Sequence, residues 1–201
     1  MVTGENIPRL RFGADMPFIP GARTLILLGC TLAGPLFPGV AMARDPMQVV
    51  PPEQGVPAPN CAYSTKDDQK TADLDQYRGK VVYVDFWASW CGPCAQSFPF
   101  LNALNQQFHD QGLQVVGVDM DEDPADAQAF LARHQPNFTI AVPKSEKCAQ
   151  DFSVQGMPSS YLVDRNGLVR HVQIGFRPGA APALRDMVGQ LLAEKPAAPS
   201  N

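Results

Sequence analysis

The chain of 201 residues predicts an α/β domain with a central mixed sheet flanked by helices. Three observations carry that prediction. Short apolar runs alternate with helical stretches in the order β-α-β-α-β-α-β-β-α, which makes the early strands parallel. The last two strands meet at Asp164-Arg165-Asn166-Gly167, whose Asn-Gly pair marks a hairpin and so an antiparallel end. A content of 45% apolar and 18% charged residues suits a globular body.

The elements follow in order after an N-terminal extension. Arg9, Arg11 and Arg23 precede the apolar stretch Thr24-Leu25-Ile26-Leu27-Leu28-Gly29-Cys30-Thr31-Leu32-Ala33-Gly34. Ala41-Met42-Ala43 fits a signal-peptidase site, so residues 1–43 read as a signal peptide with Arg44 first in the mature chain, and Met16 is a possible internal start. An uncleaved membrane anchor is the rival reading, although Pro35 and Pro38 interrupt it. Leu27-Leu28-Gly29-Cys30 also faintly resembles a lipoprotein box. Each of these readings exports the domain and places its thiol chemistry in an oxidising compartment.

Residues 44–55 form a proline-rich linker, and Pro57 and Pro59 continue the extended, element-free run to about residue 60. The domain proper is expected over 56–194, with 195–201 a disordered tail. Cys61–Asp73 suits a short hairpin, and Asp75–Gly79 a turn. Val81–Trp87 is the first central strand, and Gly92–Gln111 is a helix that Pro99 should kink. Leu113–Asp119 is the next strand. Asp123 caps a helix that Pro124 opens and His134 closes. Phe138–Val142, Lys144–Phe152, Pro158–Asp164, Leu168–Ile174 and Gly179–Glu194 complete the series as strand, helix, strand, strand and helix.

The chemistry concentrates at Trp90-Cys91-Gly92-Pro93-Cys94, between a buried strand and a helix. Two cysteines at this spacing close a small disulfide. The helix N-terminus supplies unpaired N–H groups and a positive dipole end, both of which favour a thiolate. Cys91 is therefore the expected nucleophile, and Cys94, one turn in and buried beneath it, the resolving thiol. A zinc knuckle would need two more ligands, and the sequence holds no second Cys-x-x-Cys or paired-His motif, so no metal and no cofactor beyond the disulfide are expected. Resolution needs a base. Asp85, in an otherwise apolar strand, is the candidate if burial raises its pKa; an outward-facing aspartate is the other possibility.

Cys61 and Cys148 are a candidate structural disulfide, or else two separate buried cysteines. Cys30 lies in the targeting segment. His109, His134 and His171 are scattered and read as surface or helix-end residues. A net charge of −4 and a pI near 5.3 argue against nucleic-acid or anionic-membrane partners.

Val84-Asp85-Phe86-Trp87-Ala88-Ser89-Trp90-Cys91-Gly92-Pro93-Cys94 resembles the thioredoxin active-site stretch. Gly156-Met157-Pro158-Ser159-Ser160-Tyr161-Leu162-Val163-Asp164 resembles the segment that carries the cis-proline of that fold. Arg78-Gly79-Lys80-Val81-Val82, with the turn at 164–167, is similar to the exported TlpA/ResA-type branch of thiol–disulfide oxidoreductases. The resemblance covers about residues 56–194. It implies a thioredoxin-like fold, a cis Pro158 facing the disulfide, and a Met157 backbone free to pair with an extended substrate. Trp90 would lie beside Cys91 as an apolar contact surface, and Trp87 in the core. Gly92 and Pro93, the pair found in reducing thioredoxins, lean the centre toward a reductant. Two positions depart from the branch: Ser97 stands where it commonly has an acid, and Asp85 stands where many members have an amide.

The resemblance thus implies a periplasmic thiol–disulfide oxidoreductase acting on disulfide-containing exported proteins; a monomer is the expected state. A membrane thiol carrier would supply its electrons. Cytochrome c maturation and copper-site assembly are typical tasks of the branch. A thiol oxidase or isomerase, and a binding module without turnover, are the competing readings. No isolated peroxide-reacting cysteine with a nearby threonine points to a peroxidase.

Overall fold

A computed structural model of the chain describes residues 49–51, 54–65 and 71–195. The signal or anchor segment, most of the proline-rich linker and the C-terminal tail lie outside them. Among the described residues, eight strands form one mixed sheet in the order β1-β8-β7-β4-β5-β6-β2-β3. They are β1 (Val56–Pro57), β2 (Tyr63–Thr65), β3 (Thr71–Ala72), β4 (Val81–Trp87), β5 (Leu113–Asp119), β6 (Thr139–Pro143), β7 (Ser159–Val163) and β8 (Leu168–Ile174). Four helices accompany them: α1 (Gly92–Phe108), α2 (Pro124–His134), α3 (Lys147–Asp151) and α4 (Ala181–Ala193).

β4 lies at the centre, and all seven of its residues are buried, as an apolar run covered on both faces requires. It pairs in parallel with β5 and antiparallel with β7. Stepping the same way from β4 to β5 to β6, right-handed crossovers set α1 and α2 on one face. α1 buries Cys94, Phe98, Leu101, Leu104 and Phe108, one stripe at helical spacing. α4 joins it through Leu184, Met187, Val188 and Leu191, against Val81, Tyr83 and Leu162. The other face carries Val82, Val84, Phe86, Val116 and Val118 under α3 and the segment around Leu74 and Tyr77.

Trp87 ends β4 inside the core. Its ring stacks on Phe130 of α2 at 5.0 Å and meets Phe98 of α1 edge-on at 5.1 Å. Gly117, on the neighbouring strand, leaves room for it: a Cβ there would stand 3.3 Å from the Trp87 indole nitrogen and 3.0 Å from the Phe138 ring. α1 continues through Pro99, which sits on its exposed side. Asn102 accepts from the Asn137 N–H at 2.8 Å, and Asn105 donates to the Asn137 carbonyl at 2.6 Å, so α1 is tied to the loop before β6.

Two readings are corrected. The stretch expected to be element-free up to residue 60 contains β1, which pairs Val56 with Val169 and Pro57 with Leu168. Val50 also docks on β8, its N–H donating to the Arg170 carbonyl at 2.8 Å. An edge strand with open N–H and C=O groups captures extended chain in this way. His171 is neither a surface nor a helix-end residue; it is buried in β8 opposite Leu162.

Beneath this edge Arg170 is buried. Its guanidinium donates to Asp164 at 2.9 Å and, bidentately, to Glu194 at 2.8 and 2.9 Å. Asp164 also accepts from the Asn166 and Leu168 N–H groups, shaping the hairpin turn. The turn's Gly167 has φ +78°, and any Cβ there would overlap the Arg78 guanidinium.

Candidate active site

Cys91 ends the loop after β4 as the N-cap of α1. Its backbone is extended, and its sulfur accepts a hydrogen bond from the Cys94 N–H at 3.2 Å. Pro93 fits the first turn because it has no N–H to leave unpaired there. Cys91 and Cys94 are joined as a disulfide, with Cα atoms 5.3 Å apart. Cys94 is fully buried, and Cys91, joined to it in the disulfide, is 5% exposed. The surface beside it belongs to Gly92, Pro93 and Trp90, the last 71% exposed.

Asp85 is 1% exposed, which removes the outward-facing alternative. Alternation along β4 puts it on the face of Tyr83 and Trp87, the face that α1 covers. Burial pushes its carboxyl from the ordinary 3.8 up to about 7, while a hydrogen bond from Ser160 opposes the rise. That bond, from Ser160 Oγ to Asp85 Oδ1, is 2.5 Å long. Asp85 Oδ2 is buried without a hydrogen-bond partner among the described residues. The same burial raises the Tyr83 hydroxyl, so it stays protonated. A carboxyl titrating near neutrality inside the sheet can take a proton and return it.

The Met157–Pro158 bond is cis. Pro158 is buried and Met157 half-buried, packed against the cluster of Trp87, Cys91 and Cys94. The Pro158 carbonyl accepts from the Gly175 N–H at 2.7 Å, which brings the end of β8 to the same end of the sheet as the disulfide. There a groove is lined by Pro93, Ile174, Gly175, Phe176 and Arg177. Ile174 and Trp90 are exposed apolar side chains on this end. The predicted site residues Cys91, Cys94, Asp85, Trp90, Gly92, Pro93, Met157 and Pro158 thus occupy one end of the molecule.

Cys61 and Cys148 lie apart from it. The structure joins them as a second disulfide, Cα to Cα 5.1 Å, tying the approach to β2 to α3. Both are buried with Tyr63 and Phe152.

Three residues of the site were not read from the sequence. Ser160 is the partner of Asp85. Ser97, noted only for replacing an acid, is buried and donates to the Cys94 carbonyl at 3.0 Å. Asp121 accepts from Ser89 beside the active loop. The signals available were the Ser-Ser pair after Pro158 and the alternating acids Asp119, Asp121 and Asp123 at the end of β5.

The Redoxin family model matches residues 53–191. A thiol–disulfide oxidoreductase ResA of Bacillus cereus is 29% identical over 152 residues, spanning 75% of this chain and 84% of that protein. ResA of Bacillus subtilis (strain 168) is 25% identical over 151 residues, spanning 75% and 81%. A crystal structure assigned to the thiol:disulfide interchange protein DsbE of Chlorobium tepidum superposes with a TM-score of 0.66 and 41% identity. It covers 69% of this chain and 97% of its own. With its disulfide at the head of α1 and a buried carboxyl behind it, the chain belongs to the Redoxin family, as a thioredoxin-fold thiol–disulfide oxidoreductase of the ResA/DsbE type.

Proposed function

We propose that the chain is an exported reductant of protein disulfides, working in the periplasm through the Cys91/Cys94 dithiol. The observation that carries it is the buried Asp85, held up at about 7 on the sheet face under the helix that bears Cys94. The Cys91 thiolate attacks one sulfur of a substrate disulfide, forms a mixed disulfide and expels the other sulfur as a thiolate. Asp85 takes the Cys94 proton, and the Cys94 thiolate attacks Cys91. Cys91–Cys94 closes, and the second substrate sulfur leaves. The protein gives up two electrons. Of the two substrate thiolates, one takes the proton that Asp85 carries and the other takes a proton from water, equal to the one Cys91 released on ionising, so the substrate disulfide becomes two thiols.

Trp90, Gly92 and Pro93 form the contact surface, and the Met157 backbone pairs with the substrate chain beside Pro158. Cys61–Cys148 is structural. Residues 1–43 direct export or anchor the domain, and 44–55 link it to the body at 56–194. No metal or organic cofactor is used. The substrates are exported proteins whose cysteines must be reduced, as before haem attachment in cytochrome c maturation or before copper-site assembly. A membrane thiol carrier regenerates the dithiol, and the unit is a monomer.

The test is trapping. Replacing Cys94 by Ala stalls the reaction at the mixed disulfide, so Cys91 carries its substrates, which mass spectrometry identifies after nonreducing separation. Exported proteins with paired cysteines are expected; no trapped species means a binding module. The direction is read from the reduction potential, expected at about −270 mV, whereas a value of about −120 mV makes the protein an oxidant.

A further inference from the structure

The turn that presents Cys91 is held from outside by a carboxylate that the reaction above does not use. Ala88-Ser89-Trp90-Cys91 folds back on itself, the Cys91 N–H donating to the Ala88 carbonyl at 3.1 Å. Beside it, β5 has just ended. The Met120 N–H donates to the Trp87 carbonyl at 2.9 Å, which carries Asp121 alongside the turn. Asp121 then takes three hydrogen bonds from one residue. The Ser89 N–H reaches Oδ1 at 3.1 Å and Oδ2 at 2.8 Å, and the Ser89 hydroxyl reaches Oδ1 at 2.8 Å. The Asp121 N–H in turn donates to Asp119 Oδ1 at 3.0 Å.

No ion pair among the described residues involves Asp119 or Asp121. The ion pairs there join Arg78 to Asp75, His109 to Asp110, Lys147 to Asp151, and Arg170 to Asp164 and Glu194. The residues lining the groove at Asp119 and Asp121 add Glu122 and Glu146 and include no Lys or Arg. The Asp119 carboxyl is pushed up to about 6, chiefly by burial; the hydrogen bond from the Asp121 N–H opposes the rise and the neighbouring Asp121 carboxylate adds to it. The N-terminus of α1 favours the Cys91 thiolate; the Asp121 carboxylate, hydrogen-bonded to Ser89 two residues before Cys91, opposes it.

We infer that Asp121 is a positioning residue that sets the redox poise of this centre: it clamps the turn through Ser89, and its uncompensated charge disfavours the Cys91 thiolate and holds the couple on the reducing side. The inference rests on Cys91/Cys94 being the redox couple. The sign follows from the equilibrium. Whatever stabilises the dithiol form makes a centre more oxidising, and whatever destabilises it makes the centre more reducing.

The full chain is equilibrated with a glutathione or dithiothreitol redox buffer at neutral pH as wild type, Asp121→Asn, Asp121→Glu and Ser89→Ala. Reduced Cys91 is timed with iodoacetamide in parallel. Asp121→Asn keeps an acceptor for Ser89 but removes the charge. It is expected to shift the equilibrium toward the dithiol about tenfold, equivalent to about 30 mV for a two-electron couple, and to speed alkylation severalfold. Asp121→Glu and Ser89→Ala keep the charge and should stay within about twofold of wild type in the dithiol–disulfide equilibrium. A mere staple of the loop would lower the melting temperature of the variants and leave the potential unmoved. That result overturns the inference, as does an equal shift in Asp121→Glu and Asp121→Asn. A wild type that shows no thiol–disulfide equilibrium, with nothing trapped by the Cys94→Ala variant, instead removes the redox reading itself.

Discussion

Ser160 Oγ donates to Asp85 Oδ1 across the β4–β7 pair at 2.5 Å, and the other Asp85 oxygen has no partner among the described residues. The two residues face each other in register, so the bond is set by the sheet. One satisfied oxygen and one without a partner among the described residues, both buried, suit a group that must gain and lose a proton. A carboxylate with every lone pair filled would stay ionised.

Replacing Asp85 by Asn should stabilise the protein at high pH and slow it. The folded pKa of about 7 lies above the ordinary 3.8, so the folded state holds a proton that the unfolded chain has released. Stability therefore falls as pH rises between these values, and the whole penalty is present above about 7. Urea denaturation of oxidised Asp85→Asn at about pH 8 should show a gain on the order of 4 kcal/mol at most, fading to nothing below about pH 4. The same gain at both pH values would remove the buried-acid reading. Turnover should drop by about a hundredfold, with mixed disulfide accumulating.

Trp90 projects into solvent at 71% exposure, so Trp90→Ala should leave the unfolding free energy unchanged within about 0.5 kcal/mol. The rate of reducing a protein disulfide should fall several times more than that of reducing a small aromatic disulfide. Equal losses on both substrates would deny the ring a docking role.

Losing the Cys61–Cys148 bridge should cost stability without touching the redox couple. The closed loop spans 87 residues. Chain entropy for a loop of that size corresponds to about 4–5 kcal/mol. A Cys61→Ala/Cys148→Ala double variant should lose about that much on denaturation and keep its Cys91/Cys94 potential. A variant as stable as wild type would mean that the crosslink adds nothing to the fold.

Removing Arg170 should unfasten three segments at once. Its guanidinium faces buried Asp164, and it also grips Glu194 and the Val50 carbonyl. Arg170→Met leaves Asp164 buried without its cation, a change that costs about 3–5 kcal/mol. Hydrogen exchange should rise in β8 and at the C-terminal end of α4. Unchanged protection there would show the network to be dispensable.

The sequence alone determined the order of elements, because periodicity, caps and turn residues are local. Val81–Trp87, Leu113–Asp119 and Leu168–Ile174 read as strands with the same limits that the structure has. Asp123 and Pro124 set the start of α2, and Asn166-Gly167 the last hairpin. The Cys-x-x-Cys motif announced its chemistry for the same reason, since a strand end and a helix start are written on either side of it. Only the tertiary structure decided what lies against that motif. Alternation told which residues share the Asp85 face but not which face is covered, and burial is a property of the helix laid over it. Ser160 meets Asp85, Asp121 meets Ser89 and Cys61 meets Cys148 across 75, 32 and 87 residues of chain. Such pairings follow from strand order, which no local pattern encodes. The N-terminal run around Val50 and Val56 looked structureless for the same reason: what orders it is the open edge of β8, more than a hundred residues away.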